Sequence, residues 1–150
     1  MGSKTNTSAN EVFARWRIED EELATQVDTI RQWMRELDQL GRQHFGETAT
    51  RLRELRELMV THFDRESEMV EKLGKIYRMD SPEVSAVRRQ SARDHQNLLL
   101  RVDALIERLD RLEPPYGSWQ EAIDDLECLV SLLEQHEANE WDSLEMLLPA

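Results

Sequence analysis

The placement of helix-breaking residues constrains this 150-residue chain more than any other feature. Beyond the first ten residues, glycine and proline occur only at Gly41, Gly46, Gly74, Pro82, Pro114, Pro115, Gly117 and Pro149. The long stretches between them are rich in Leu, Glu, Arg and Gln, which favour helix. This pattern predicts four helices of about 30 residues each, at roughly 12–42, 47–77, 82–112 and 118–147.

The predicted connections are short, and short connections between long helices make neighbouring helices antiparallel. We therefore predict an all-α fold, an up-down-up-down antiparallel four-helix bundle over residues 12–150. Ser81-Pro82 is typical of a helix start, and Ser118 with Glu121 forms a capping box. We expect a disordered polar tail over residues 1–11. A separate arm around Trp16, packed on the bundle, is the alternative for the beginning of the first helix.

The composition narrows the classes of protein and partner. Residues are 39% hydrophobic, which is too apolar for a disordered chain, and the formal net charge is −12. That charge repels phosphate, so we expect no nucleic acid and no anionic membrane as partner. The N-terminal residues lack the apolar segment of a secretory signal, and a lone Cys128 excludes an internal disulfide. We therefore expect a cytoplasmic protein.

Polar residues interrupt the apolar stripes that should face the bundle core. At alternating spacings of three and four, the first helix is apolar from Leu23 to Leu37, whereas the other three helices carry inward polar residues. These residues are His62, Glu66, His95, His136 and Glu140. Counting from the predicted turns places the three histidines in one layer, within roughly 5 Å along the axis. Glu66 and Glu140 each follow a histidine by one helical turn.

Five potential ligands are therefore predicted to converge inside the bundle. A buried polar group without a partner costs roughly 1–3 kcal/mol, so this layer needs a partner. Imidazole and carboxylate together suit iron, manganese or zinc. The alternative is a metal-free core in which protonated histidines pair with glutamates and water fills the rest. By contrast, we interpret the acidic run Glu19-Asp20-Glu21-Glu22 as a solvated helical turn.

The ligand pattern resembles a known family. His62-Phe63-Asp64-Arg65-Glu66 is similar to the HF-x-x-E signature of hemerythrin-like (HHE cation-binding) domains, and His95 and His136-x-x-x-Glu140 are similar to their later elements. The resemblance covers roughly residues 20–148. It implies two non-haem irons, bridged by Glu66 and Glu140. His62 would bind one iron, and His95 and His136 the other.

The chain departs from the family pattern at two positions. The family has a histidine in helix 1 at the depth of the other ligands. If the turn between the first two helices is centred near 44–45, the residue of helix 1 at the depth of His62 is Val27. Asp28, Gln26 and water are candidates to compensate, and a single metal or a site that has lost metal binding are the other options. The family often has a second ligand in helix 3, four residues after the first, and that position is Leu99 here.

Three functional hypotheses follow. The first is a non-haem di-iron protein that binds or senses dioxygen or iron, with a small diatomic molecule as ligand. The second is a metal-free scaffold or interaction protein that retains a degenerate site, with an unknown protein partner. The third is a mononuclear metal site of structural type. Zinc and manganese are the alternatives to iron as the bound metal. No residue outside the ligand set stands out as a general acid or nucleophile, so an enzyme is not our expectation.

Overall fold

The computed structural model describes residues 2–77, 82–111 and 116–147 and contains four helices in that part of the chain. They are α1 (Gly2–Gln39), α2 (Phe45–Tyr77), α3 (Pro82–Leu109) and α4 (Trp119–Leu147). The predicted N-cap Ser81 lies outside the described residues, but Pro82 does begin α3. No helix in the described ranges is both long and apolar enough to cross a membrane.

The helices form a four-helix bundle in which α1 and α3 each pack against α2 and α4. Contacts between α1 and α4 run in reverse order, because Phe13 meets Trp141 near one end and Arg31 meets Glu127 further along. The other neighbouring pairs show the same reversed order. The predicted all-α antiparallel bundle is therefore confirmed.

The first helix begins earlier than the sequence predicts. We expected a tail over 1–11 and a helix from about residue 12, but α1 extends from Gly2. Ala9 and Trp16 are both buried, so apolar side chains in these turns have a surface to pack against. The segment around Trp16 is continuous with α1 and is not a separate arm.

The core consists of two apolar clusters with a polar layer between them. The larger cluster runs from Leu23 on α1 to Leu133 on α4 and includes residues of all four helices. The smaller cluster lies at the other end and comprises Ala9, Trp16, Met69, Val70, Leu73 and Leu144. On α2, Glu66 lies between Phe63 of the larger cluster and Met69 of the smaller one, and His62 directly precedes Phe63. The polar residues predicted in the core stripes are indeed inside the bundle.

Candidate metal centre

Side chains from all four helices converge in the polar layer as two groups that share one residue. We name them the carboxylate-rich group (Asp20, His62, Glu66, Glu137) and the histidine-rich group (Glu66, His95, His136, Glu140). Each residue of a group offers one ligand atom, and these atoms all lie within 4.8 Å of one another. Both groups therefore have the residue types and the spacing that a metal ion requires.

Glu66 connects the two groups. Its side chain is fully buried, and its two carboxylate oxygens face different histidines. Oε1 lies 2.5 Å from His62 Nε2, while Oε2 lies 3.0 Å from His95 Nε2 and 3.8 Å from His136 Nε2. One carboxylate is thus placed to contribute an oxygen to each group.

The carboxylate-rich group surrounds one imidazole with three acids. His62 Nε2 lies 3.1 Å from Glu137 Oε1 and 3.2 Å from Asp20 Oδ1, in addition to its contact with Glu66. The acids come from three different helices, α1, α2 and α4. The three carboxylates therefore converge on one atom, His62 Nε2.

The histidine-rich group lies between α2, α3 and α4. Glu140 Oε2 is 2.8 Å from His136 Nε2 and 3.6 Å from His95 Nε2. The other oxygen, Oε1, accepts a hydrogen bond of 3.1 Å from the Ser91 hydroxyl. Only one oxygen of Glu140 thus faces the imidazoles.

Two neighbours fix the rings of the histidine-rich group. The Nδ1 of His136 lies 3.1 Å from Asp94 Oδ2, which leaves Nε2 directed at Glu66 and Glu140. A carboxylate on the far nitrogen is the usual support of a metal-binding histidine, because it sets the tautomer and the ring orientation. Phe63 stacks on His95 with the ring centroids 4.1 Å apart and the planes within 6° of parallel.

The metal-free layer concentrates opposite charges. Burial alone would lower the pKa of His62 and of His136, but the facing carboxylates raise these pKa values to about 12 and about 11. Burial alone would raise the pKa of Glu66, yet the three imidazoles hold it well below its usual range. Burial, aided by the charges of Glu66 and Asp20, raises the pKa of Glu137 to about 9 against the effect of His62. Glu137 therefore keeps its proton at neutral pH, mainly because it is buried and in addition because Glu66 and Asp20 are close.

The buried ligand atoms of the layer outnumber the protons that the histidines can donate to them, because His62 Nε2 alone faces three carboxylate oxygens within 3.2 Å. Among the described residues, the buried atoms without a hydrogen-bond partner include Asp20 Oδ1, Glu66 Oε1, His136 Nε2, Glu137 Oε2 and Glu140 Oε2. All five belong to the two groups. Although several of them lie in ion-pair contact with a histidine, none makes a well-aligned hydrogen bond, and the lack of one costs roughly 1–3 kcal/mol for a buried polar atom. A cation bound by carboxylate oxygens and imidazole nitrogens would satisfy them, so the residues present fit a metal.

The structure brings together all five residues that the sequence predicts, His62, Glu66, His95, His136 and Glu140. It adds Asp20 and Glu137 as further potential ligands and Asp94 as a support. Asp20 belongs to the acidic run that the sequence presented as solvated. Glu137 directly follows His136 and therefore lies off the core stripe, but its longer side chain reaches the layer.

Neither Gln26 nor Asp28, the residues considered as substitutes for the helix-1 histidine, reaches the polar layer. Val27 is buried in the larger apolar cluster, and Gln26 and Asp28 are exposed, so none of them is in the polar layer. The α1–α2 contacts are symmetric about residue 42 and not about 44–45, so His62 lies opposite Glu22. Asp20, two residues earlier on α1, reaches His62 Nε2 with its side chain. The pairs Glu19–Arg65 and Trp33–Arg51 both have residue 42 as their midpoint. The α3 position Leu99 packs against the larger cluster instead of contributing a ligand.

Two grooves between α3 and α4 reach the histidine-rich group from outside. Their volumes are about 380 Å³ and 350 Å³, and both are lined by Asp94, His136 and Asn139. A third groove, of about 170 Å³ between α1 and α2, is lined by His62 and Arg65. A small solute can therefore approach each group from its own side of the bundle.

Comparisons of this chain with protein-family models, with curated proteins and with solved structures find no match.

Proposed function

We propose that the protein is a hemerythrin-like metal-binding bundle that holds two metal ions, foremost non-haem iron, on either side of Glu66. The observation that carries this proposal is the position of Glu66, which belongs to both four-residue groups and presents a different oxygen to each. In the resemblance-based assignment Glu140 is a second bridge. Because its Oε1 accepts a hydrogen bond from Ser91, we assign Glu140 to the histidine-rich group alone.

Charge balance favours two ions over one. Asp20, Glu66, Glu137 and Glu140 carry four negative charges when all are ionised, and two divalent cations carry four positive charges. The three histidines can then be neutral, as metal ligands must be. A single divalent cation leaves half of this negative charge to be compensated by protons in a buried layer, where uncompensated charge is costly.

The ligand count leaves coordination positions for a small molecule. Each group supplies four protein residues, one of them shared, whereas iron commonly takes up to about six ligands. Iron in such a site supplies reversible binding or redox chemistry toward ligands such as dioxygen. The protein's residues hold the ions, support His136 through Asp94 and leave access through the grooves. We propose a role in binding or sensing dioxygen or iron on this basis.

Metal content tests the proposal. We expect protein from iron-supplemented cells to contain about two irons per chain and to lose thermal stability when chelated. Glu66→Gln should contain at most about one ion. Glu71→Gln, at an exposed position of the same helix, should keep both. Circular dichroism confirms that each variant folds.

Other results would contradict the proposal. One ion per chain in the parent protein would indicate the mononuclear alternative. No metal, together with a melting temperature that chelation does not change, would indicate the metal-free scaffold.

A further inference from the structure

We infer that the two groups select different cations, so that a chain offered both a hard and a borderline metal binds one of each. The carboxylate-rich group takes the hard, oxygen-preferring cation, such as Mn²⁺. The histidine-rich group takes the borderline cation, such as Fe²⁺ or Zn²⁺. This inference rests on the proposed function and goes further, because it distinguishes the two positions chemically.

The donor sets differ in kind. Three carboxylates and one imidazole form the carboxylate-rich group, whereas the histidine-rich group has two imidazoles and two carboxylates. Oxygen donors suit Mn²⁺, while imidazole donors suit iron, zinc and copper. Since Glu66 is common to both, the difference depends on Asp20 and Glu137 on one side and on His95 on the other.

The two groups also differ in charge. The carboxylate-rich group has two acids of its own, Asp20 and Glu137, and the histidine-rich group has only Glu140. Binding of hard cations to protein depends mainly on the number of charged oxygen ligands. The extra negative charge therefore strengthens the hard-cation preference of the carboxylate-rich group.

The two groups also differ in rigidity and in access to water, and both differences support the same assignment of metals. In the histidine-rich group the side chains are at most 10% exposed, and Ser91 and Asp94 hold Glu140 and His136. Four fixed donors of this kind suit a tetrahedral ion such as Zn²⁺. In the carboxylate-rich group, Asp20 is 30% exposed and Glu137 17% exposed. Water can reach this position and complete the larger coordination shell of a hard cation.

The carboxylate-rich group is more than a chance acidic cluster. Glu66 is fully buried, and its Oε1 points toward this group, 2.5 Å from His62 Nε2. The hydrogen bond of that nitrogen is with Glu137, so Oε1 has no donor of its own among the described residues. His62, also buried, directs Nε2 to the same point. Acids that were merely solvated would not surround a buried imidazole.

The test must allow for the greater affinity of Zn²⁺ than of Mn²⁺ for almost any nitrogen and oxygen site. Metal-free protein therefore receives one equivalent of Zn²⁺ and then an excess of Mn²⁺. After removal of unbound metal, each element is quantified, and anomalous scattering at the two absorption edges locates each ion in crystals. We expect one zinc at the histidine-rich group and one manganese at the carboxylate-rich group.

Matched variants separate the two positions. Asp20→Asn should weaken Mn²⁺ binding by at least about tenfold and leave the zinc bound. His95→Gln should weaken Zn²⁺ binding by a similar factor and leave the manganese bound. Asp28→Asn, an exposed change on the same helix as Asp20, should alter neither.

The outcomes distinguish this inference from the proposed function. Two bound ions with the elements mixed over both positions, or equal loss of both metals in Asp20→Asn and His95→Gln, would overturn the inference and leave the two-ion function standing. A chain that binds neither Zn²⁺ nor Mn²⁺, and no iron, would overturn both.

Discussion

Asp94 illustrates how a residue outside the ligand set controls one within it. Its carboxylate contacts His136 Nδ1, and the opposite ring nitrogen then faces Glu140. The contact lies across the α3–α4 interface, so it also ties the ring to a neighbouring helix. Asp94 is therefore a positioning residue for the histidine-rich group.

We predict that Asp94→Asn lowers the affinity of the histidine-rich group for Zn²⁺ by about 10- to 100-fold, because an amide no longer supplies the charge that makes His136 a better ligand. Competition with a chromophoric chelator measures this affinity. Asp64→Asn, an exposed change on α2, is the control and should have no effect. Equal affinities in the two variants would show that Asp94 does not support the metal ligand.

At the residue scale, the sequence predicts inward-facing positions better than the reach of side chains. Periodicity identified His62, Glu66 and His136 because their Cα–Cβ bonds point into the bundle. It missed Glu137, which lies about 100° around the helix from His136 and reaches the layer through its long side chain. Periodicity predicts the direction of the Cα–Cβ bond. It does not predict where the carboxylate of a long, flexible side chain lies.

At the scale of elements, the α1–α2 connection sets which residue of α1 reaches the polar layer. Gly41 has φ of 67°, and the amides of Gly41 and Arg42 donate to the carbonyls of Asp38 and Leu37. This is the hydrogen-bond pattern of a Schellman cap, which ends a helix abruptly. The cap brings the symmetry point of the two helices to residue 42, which places Asp20 within about 3 Å of the depth of His62 along the bundle axis.

We predict opposite effects of alanine at the two glycines of this connection. Gly41→Ala should lower the free energy of unfolding by about 1–2 kcal/mol, because an L-residue is strained at positive φ although no atom lies within 4 Å of the added methyl. Gly46→Ala lies in the first turn of α2, is equally unhindered and should be neutral or stabilising by up to about 1 kcal/mol. Urea unfolding measures both changes. A similar loss in both variants would contradict the proposed role of the cap.

The bounds of most helices could be predicted from the sequence, but the register of α1 against α2 could not. Glycine and proline gave the limits of α2, α3 and α4 within a few residues, since long segments free of helix breakers have few alternatives to helix. The pattern could not show where within 41–47 the chain turns, because Gly41 and Gly46 both allow it. The turn lies a few residues earlier than the sequence predicts. As a result, the α1 residue near the polar layer is Asp20 and not Val27.

At the scale of the whole molecule, the polar layer makes the stability of the metal-free protein dependent on pH. His62 and His136 keep their protons to pKa values of about 12 and 11 in the folded state, against 6.5 in an unfolded chain. Their stabilising contribution is complete below pH 6.5 and decreases as the pH rises toward those values. The lowered pKa of Glu66 affects stability at acidic pH. Its stabilising contribution is lost as the pH falls below 4.5.

We therefore predict that the melting temperature of the chelated protein falls as the pH rises from 6.5 toward about 11, the lower of the two folded-state pKa values. Over the same range the stabilisation by added metal should grow, because metal binding releases the imidazole protons. Thermal scans with and without metal provide the measurement. His62→Asn should flatten the decline of the chelated protein, whereas His44→Asn, at an exposed position, should retain it. An unchanged slope in His62→Asn would refute the prediction.

The division of the core by the polar layer has a consequence for local unfolding. The smaller apolar cluster is held by residues of α1, α2 and α4 and is separated from the larger cluster by charged groups. Opening only this end exposes a fraction of the apolar surface that global unfolding exposes, so it costs correspondingly less free energy. Such a fluctuation uncovers the polar layer from its end while the larger cluster keeps the four helices together. We therefore expect the buried groups to become accessible to solvent by opening of this end at a lower free-energy cost than by global unfolding.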